Sequence, residues 1–261
     1  MKLFARRDSG GVVAILIAVL LVSLGCAGSG VGRSDPASKV QAELLEQMVR
    51  EQEARRDLQS TTFEDPPAQT VESYLGEGDN LRDANEAAQA LWLYLKAHEL
   101  DRSDPRPLLR IAGLHLGAEP ERAVAIFSSL ARRNDGSAAP LTGLGIAHVA
   151  KGDGATAERV LHRAVNLDPD FPAARNALGI VLEQRLAHDE AREHFERAIA
   201  LQPSSYETLN NLGASYLATR ANARALDVLE KAALLETRDP AVFNNMGIAL
   251  GRLGRYDEAL E

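Results

Sequence analysis

The chain has 261 residues, 45% of them hydrophobic and 25% charged, which is ample material for a buried core beneath a soluble surface. Its formal net charge is −8; residues 1–25 carry +2 through Lys2, Arg6, Arg7 and Asp8, which leaves −10 for the rest. That balance gives no electrostatic footprint for nucleic acid, and a single cysteine, Cys26, excludes an internal disulfide and a cysteine-based structural metal site. Aromatic residues are only 5% and alanine is abundant, which favours closely packed helices over a β-rich fold.

The first element is a basic start, Met1 to Arg7, followed by the apolar run VVAILIAVLLVSL from Val12 to Leu24. This run is shorter than the ~20 residues a spanning helix needs, but it suits the core of a signal peptide, residues 1–25. It closes on the small residues Gly25 and Cys26. VSLGC resembles the lipobox of bacterial lipoproteins, with Ser23 in place of the usual leucine three positions before the cysteine. The resemblance implies cleavage before Cys26, acylation of its thiol and new amine, and a lipid anchor to which each buried CH₂ adds ~0.8 kcal/mol. Ala27 stands where an aspartate would imply retention in the inner membrane, so the resemblance implies the periplasmic face of the outer membrane.

Residues 26–36 are small and flexible, a tether behind the lipid. Asp35-Pro36 reads as a helix start, and residues 37–62 as a lead-in helix with a narrow apolar stripe at Val40, Leu44 and Met48. The charged stretch Glu51 to Asp57 leaves little of it to bury, so a partly exposed helix is expected. Asp65-Pro66-Pro67 ends it.

From residue 68 the chain repeats in a 34-residue frame, the signature of a stacked array. Leu144-Gly145, Leu178-Gly179, Leu212-Gly213 and Met246-Gly247 recur in register, followed by Ala157, Ala191, Ala225 and Ala259. Leu161, Phe195 and Leu229 come next, then Ala164, Ala198 and Ala232. The units are 68–103 (degenerate), 104–137, 138–171, 172–205, 206–239 and 240–261 (incomplete). In the degenerate unit Gly76 and Gly78 read as a turn, while Tyr94 and Ala97 take the aromatic and alanine places. In the second unit Ala123 and Phe127 are in frame, but the first helix is offset by about one residue. Each unit accommodates two helices of roughly 13–15 residues. Asp168-Pro169, Pro203 and Asp239-Pro240 end second helices, and Gly152-Asp153-Gly154 and Gly254 form the turns within units. The glycine and alanine places let paired helices approach, and Leu144, Leu178, Leu212, Phe195 and Leu229 fill the space between them. One pair buries too little alone, so units must share a continuous core.

This frame is similar to that of tetratricopeptide repeat (TPR) proteins, most closely in ETLNNLGASYLATRANARALDVLEKAALL and VFNNMGIALGRLGRYDEAL. The resemblance implies an all-α, right-handed TPR helix-turn-helix solenoid, preceded by signal peptide, flexible tether and lead-in helix. It also implies a concave groove lined by the second, fifth, ninth, twelfth and thirteenth residues of each unit. Those are Thr142, Ile146 and Val149; Asn176, Ile180 and Glu183; Glu207, Asn210, Ala214 and Leu217; and Asn244, Ile248 and Arg252. The ninth places, Ile146, Ile180, Ala214 and Ile248, make an apolar strip, and the asparagines beside it carry both donor and acceptor for a bound backbone. The strip suits an apolar peptide or helix. Arg252 is the one basic member, so the basic clamp with which some relatives hold a C-terminal carboxylate does not fit.

No catalytic constellation is present. HDEAREH sets His188 and His194 six apart, off a shared helix face, whereas a metalloprotease places them four apart. His98, His115, His148 and His162 are isolated. Neither G-x-x-x-x-G-K-[ST] nor G-x-S-x-G occurs. No cofactor or metal is expected. The expectation is a non-catalytic, lipid-anchored scaffold for envelope assembly, with acylated Cys26 in the membrane and a protein or peptide client in the groove. The arrangement resembles the TPR lipoprotein of tight-adherence (Flp) pilus systems and the pilotins of type IV pili. The alternatives are an adaptor for cell-wall hydrolases or proteases, and the N-terminal part of a longer protein, since the repeat stops mid-unit at Glu261.

Overall fold

The computed structural model describes residues 47–48, 69–133, 136–235 and 239–259, all within the compact unit Val40–Glu261. The signal peptide, Cys26, the tether and all of the lead-in helix except Gln47 and Met48 lie outside the described residues. Met48 is helical, 1% exposed, and part of the same core as the repeats.

The chain forms eleven described helices: α1 Val71–Asp83, α2 Ala87–Leu100, α3 Arg106–His115, α4 Pro120–Arg133, α5 Ala138–Ala150, α6 Gly154–Leu167, α7 Pro172–Gln184, α8 His188–Leu201, α9 Tyr206–Ala218, α10 Asn222–Ala233 and α11 Pro240–Arg252. They pack as consecutive antiparallel pairs, α1 with α2 through α9 with α10, and each second helix also packs on the first helix of the next unit. First helices touch one another as well, α3 on α5, α5 on α7, α7 on α9 and α9 on α11.

The pairing rests on a knob and a slot. A Cβ placed on Gly78, Gly145, Gly179 or Gly213 would come within 2.4 to 2.5 Å of Tyr94, Leu161, Phe195 or Leu229. Each knob lies sixteen residues after its glycine and is fully buried. Ala90, Ala123, Ala157, Ala191 and Ala225 are likewise fully buried, so one small residue on each second helix keeps the approach close.

Gly76 and Gly78 therefore do not form a turn. Both lie inside α1, and the turn of the first unit comes later, at Asn85 with φ 64°. Gly78 is the slot for Tyr94, a role hidden by the one-residue displacement of this unit from the 34-residue frame.

The offset of the second unit has a local cause. Four residues link α3 to α4, against three within the other complete units, and α3 has only 10 residues. Ile111, fully buried, lies sixteen residues before Phe127 where the other units have glycine. Phe127 turns instead to the following unit, where a Cβ on Gly143 would lie 2.2 Å from its ring.

The turns within the third to sixth units share one geometry. Gly152, Leu186, Arg220 and Gly254, 34 residues apart, all have positive φ of 59° to 79°. The next N–H reaches five residues back, as in Asp153 N to His148 O (2.9 Å) and Ala187 N to Leu182 O (3.0 Å). This is the bond by which a left-handed residue closes a helix end, a conformation that glycine adopts without steric cost. N-termini are closed by side chains where the sequence supplies them: Asp153 Oδ1 accepts from Thr156 N (3.1 Å) and Ser205 Oγ from Thr208 N (3.2 Å).

Candidate partner-binding groove

The first helices α5, α7, α9 and α11 pack side by side, so in-frame positions on them line up across the array. The residue after each slot glycine points away from the second helix. Ile146 and Ile248 are each 38% exposed, Ile180 is partly exposed and Ala214 is exposed. In the first unit the corresponding residue is Asp79, so the apolar character of the strip starts at the third unit.

One turn before Ile180 and before Ala214 the fold ties an asparagine to the next unit. Asn211 donates through Nδ2 to Asn176 Oδ1 at 3.0 Å, and Asn245 to Asn210 Oδ1 at 2.9 Å. The second asparagine of each Asn-Asn pair thus reaches back to the preceding unit. Sequence reasoning missed Asn211 and Asn245, although the repeated dipeptide was the available signal. The bonds fix the Asn176 and Asn210 amides by their oxygens and leave their N–H groups to donate elsewhere. Asn244 is exposed.

Other predicted members are placed differently. Thr142 is buried, and its hydroxyl donates to Ala138 O at 2.9 Å, as Ser and Thr side chains do within helices. Leu217 is 7% exposed and belongs to the core. Neither presents a surface to the groove, because the helix turns these positions toward its neighbours. Val149 is partly buried and lines a cleft of about 600 Å³ with Val181, Glu158 and Arg185. Glu207 is exposed and accepts from Ser205 Oγ at 3.0 Å.

The charged members are engaged within the chain. Arg252 Nη1 donates to Leu217 O at 2.8 Å, at the C-terminal end of α9, where a cation is favoured. Glu183 Oε2 lies 2.8 Å from His188 Nδ1. The predicted groove places on α5, α7, α9 and α11 that face solvent are therefore mostly amide and aliphatic.

The N-terminal units carry charge instead. Arg110 Nε and Nη2 form a bidentate pair with Asp79 (2.9 Å to 3.0 Å), and Tyr94 OH donates to Asp79 Oδ1 at 2.8 Å. Burial pushes the Asp79 carboxyl up, but the hydrogen bonds from Arg110 and Tyr94 outweigh it and hold its pKa below the usual range. The same burial, with the bond to Asp79, pushes the Tyr94 phenol up.

Among the described residues no group of three or more His, Cys, Asp or Glu is arranged to hold a metal ion, and no helix is long and apolar enough to cross a membrane. His188 and His194 sit apart on α8; burial lowers the pKa of His194, whose Nδ1 has no partner.

The tetratricopeptide repeat family model matches residues 142–206 and 188–242, which contain the regular pairs and their frame. Over that span the units match tetratricopeptide repeats, and the other described helices pack pairwise in the same helix-turn-helix manner. The TPR fold recurs in a TPR protein of Thermus thermophilus, 23% identical with a TM-score of 0.60 over 73% of this chain and 98% of that one. PilF of Pseudomonas aeruginosa is 18% identical with a TM-score of 0.57, over 73% and 87%. A chain of the APC/C Cut9–Hcn1 hetero-tetramer is 18% identical with a TM-score of 0.61, over 95% of this chain and 49% of its own. At these identities the likeness is one of fold. No curated protein matches the sequence.

Proposed function

We propose that this chain is a non-catalytic, lipid-anchored TPR scaffold that holds an uncharged, extended segment of a client protein against α5, α7, α9 and α11. Its setting is the assembly of a bacterial envelope machine, with pilus and secretin biogenesis the system that the lipobox and repeat array together suit best.

The observation that carries the reading is the chemistry of the groove. Ile146, Ile180 and Ile248 offer aliphatic surface, and Arg252 and Glu183 are engaged internally. The Asn176 and Asn210 amides are pinned with N–H groups left to donate. A helix has already spent its carbonyls, whereas an extended segment has them free, so amide donors beside an aliphatic strip favour the extended form. The membrane anchor rests on VSLGC at residues 22–26.

Two measurements test this. In cells fed labelled palmitate, the full chain takes up label and Cys26→Ser does not; label on the variant would overturn the anchor. In a pull-down with the acylated protein, secretin or pilus components are recovered, and Ile180→Asp with Ile248→Asp reduces that capture at unchanged Tm. Capture of cell-wall hydrolases alone would replace the pilus setting with the adaptor role. Capture insensitive to both substitutions would move the site out of the groove.

A further inference from the structure

The seam between the third and fourth units holds a cleft of about 600 Å³, a size typical of small-ligand sites. It is lined by Val149, Gly152, Gly154 and Glu158 of one unit and by Val181 and Arg185 of the next. None of Ile146, Ile180, Ala214 and Ile248 lines it, so it is separate from the apolar strip. The sequence leaves it open. Gly154 stands where the following units carry His188, Asn222 and Tyr256, and a Cβ built on Gly152 or Gly154 meets no described atom within 4 Å.

One ion pair joins the two units across this cleft, and its members are unequal. Arg185 Nη1 donates to Glu158 Oε1. The Glu158 side chain is 19% exposed, whereas that of Arg185, at the C-terminal cap of α7, is 59% exposed. A pair with so exposed a guanidinium contributes little and exchanges readily. The half-buried carboxylate cannot be left without a cation so cheaply. His162 Nε2 lies 3.8 Å from Glu158 Oε1, beyond hydrogen-bonding distance. An anionic ligand would draw Arg185 away and strand Glu158, and a neutral one would offer no replacement. A ligand cation can take the place of Arg185 with no change in the charge of the site. The chain beyond residue 25 carries −10, which favours encounter with a cation.

We propose that this cleft binds an arginine side chain presented by a short segment of another protein, and that Arg185 is its displaceable internal occupant. The pair with Arg185 shows the chemistry that Glu158 accepts, a guanidinium. The incoming aliphatic stem lies against Val149 and Val181, and the fork of its guanidinium meets the carboxylate with two bonds where lysine makes one. The cleft is larger than one side chain, so residues flanking the arginine enter with it, beside the exposed amide of Gln184, which both donates and accepts. This site does not depend on the groove reading and adds a second, charge-selective contact to the array.

The test titrates the full chain with the capped tripeptide Ac-Ala-Arg-Ala-amide and with its citrulline counterpart, which keeps the shape and lacks the charge. Dissociation constants are read by saturation-transfer NMR, and an unchanged thermal midpoint checks that each variant is folded. Wild type should bind the arginine peptide about tenfold more tightly than the citrulline peptide, and Glu158→Gln should abolish that difference. Arg185→Ala should bind the arginine peptide about two- to fivefold more tightly than wild type, because no internal guanidinium competes. Gly154→His, which gives the third unit the residue of the fourth, should weaken binding by filling the cleft. Equal binding of the two peptides, a preference that survives Glu158→Gln, or weaker binding by Arg185→Ala would overturn the assignment. So would the absence of binding to wild type and Arg185→Ala alike. Ile248→Asp should leave the arginine peptide bound as in wild type; loss of binding there would move the arginine into the groove and overturn the cleft.

Discussion

The glycines that follow the leucines in the repeat act by what they lack. At Gly179 a Cβ would lie 2.5 Å from the Phe195 ring, and that ring is fully buried, so it has nowhere to retreat. Overpacking of this kind costs about 1–3 kcal/mol. Gly113, exposed within α3, has no described atom within 4 Å of a Cβ built on it. Gly179→Ala should therefore lower the unfolding free energy by about 1–3 kcal/mol in urea titration. Gly113→Ala should leave it unchanged or raise it by up to ~1 kcal/mol, through helix propensity alone. Equal losses at both positions would show that the glycines serve something other than close approach. The slot residues could be read in the sequence at Gly145, Gly179 and Gly213, because period and residue type agree there. Gly78 and Gly143 could not: the first lies one residue out of frame, and the second serves a knob from the preceding unit.

At the scale of a helix, α2 carries a titratable group that its surroundings keep neutral. His98 is largely buried, its Nδ1 has no partner, and its pKa falls from 6.5 to about 4. Burial is the main cause, the positive charges of Arg102 and Arg133 add to it, and Asp101 and Asp104 oppose it. Because the folded pKa lies below the unfolded one, folding excludes a proton that the unfolded chain accepts. The stability is fully present above pH 6.5 and is lost as the pH falls toward about 4, to a limit of about 3 kcal/mol. Urea midpoints of wild type and His98→Leu should therefore diverge on acidification, with wild type losing more between pH 7 and pH 5. Parallel losses would place the acid sensitivity elsewhere. The sequence marked His98 only as an isolated histidine, since its burial depends on how α2 is covered. The offset of α3 was visible in the sequence, but its cause, a fourth residue in the α3–α4 link and Ile111 in a glycine's place, needed the packed helices.

Across the array, stability is distributed by nearest neighbours, as in any stacked repeat. Six residues of α7 are buried between its neighbours, among them Leu178, Val181 and Leu182. In α8 three are buried, Ala191, Phe195 and Ala198. Amides of α8 should accordingly exchange with solvent faster than those of α7 under native conditions, in a hydrogen-exchange time course. Equal protection along the two helices would mean that the array opens as one cooperative unit. Polar ties between units, Asn211 to Asn176, Asn245 to Asn210 and Arg110 to Asp79, join the same neighbours as the apolar contacts and strengthen that one-dimensional coupling.

The sequence by itself determined the helical class, the period and the small and large residues of the regular units. These follow from backbone propensity and from spacing that every repeat states again. It also placed Ile146, Ile180, Ala214 and Ile248 one residue beyond the glycine slots, and so on the exposed side. The tertiary structure alone decided which groove candidates face solvent. It buried Thr142 and Leu217, turned Arg252 onto the end of α9, and joined asparagines of successive units. Those outcomes depend on how neighbouring helices cross, and crossing is set by the fit of side chains distant in the chain, which a period does not encode.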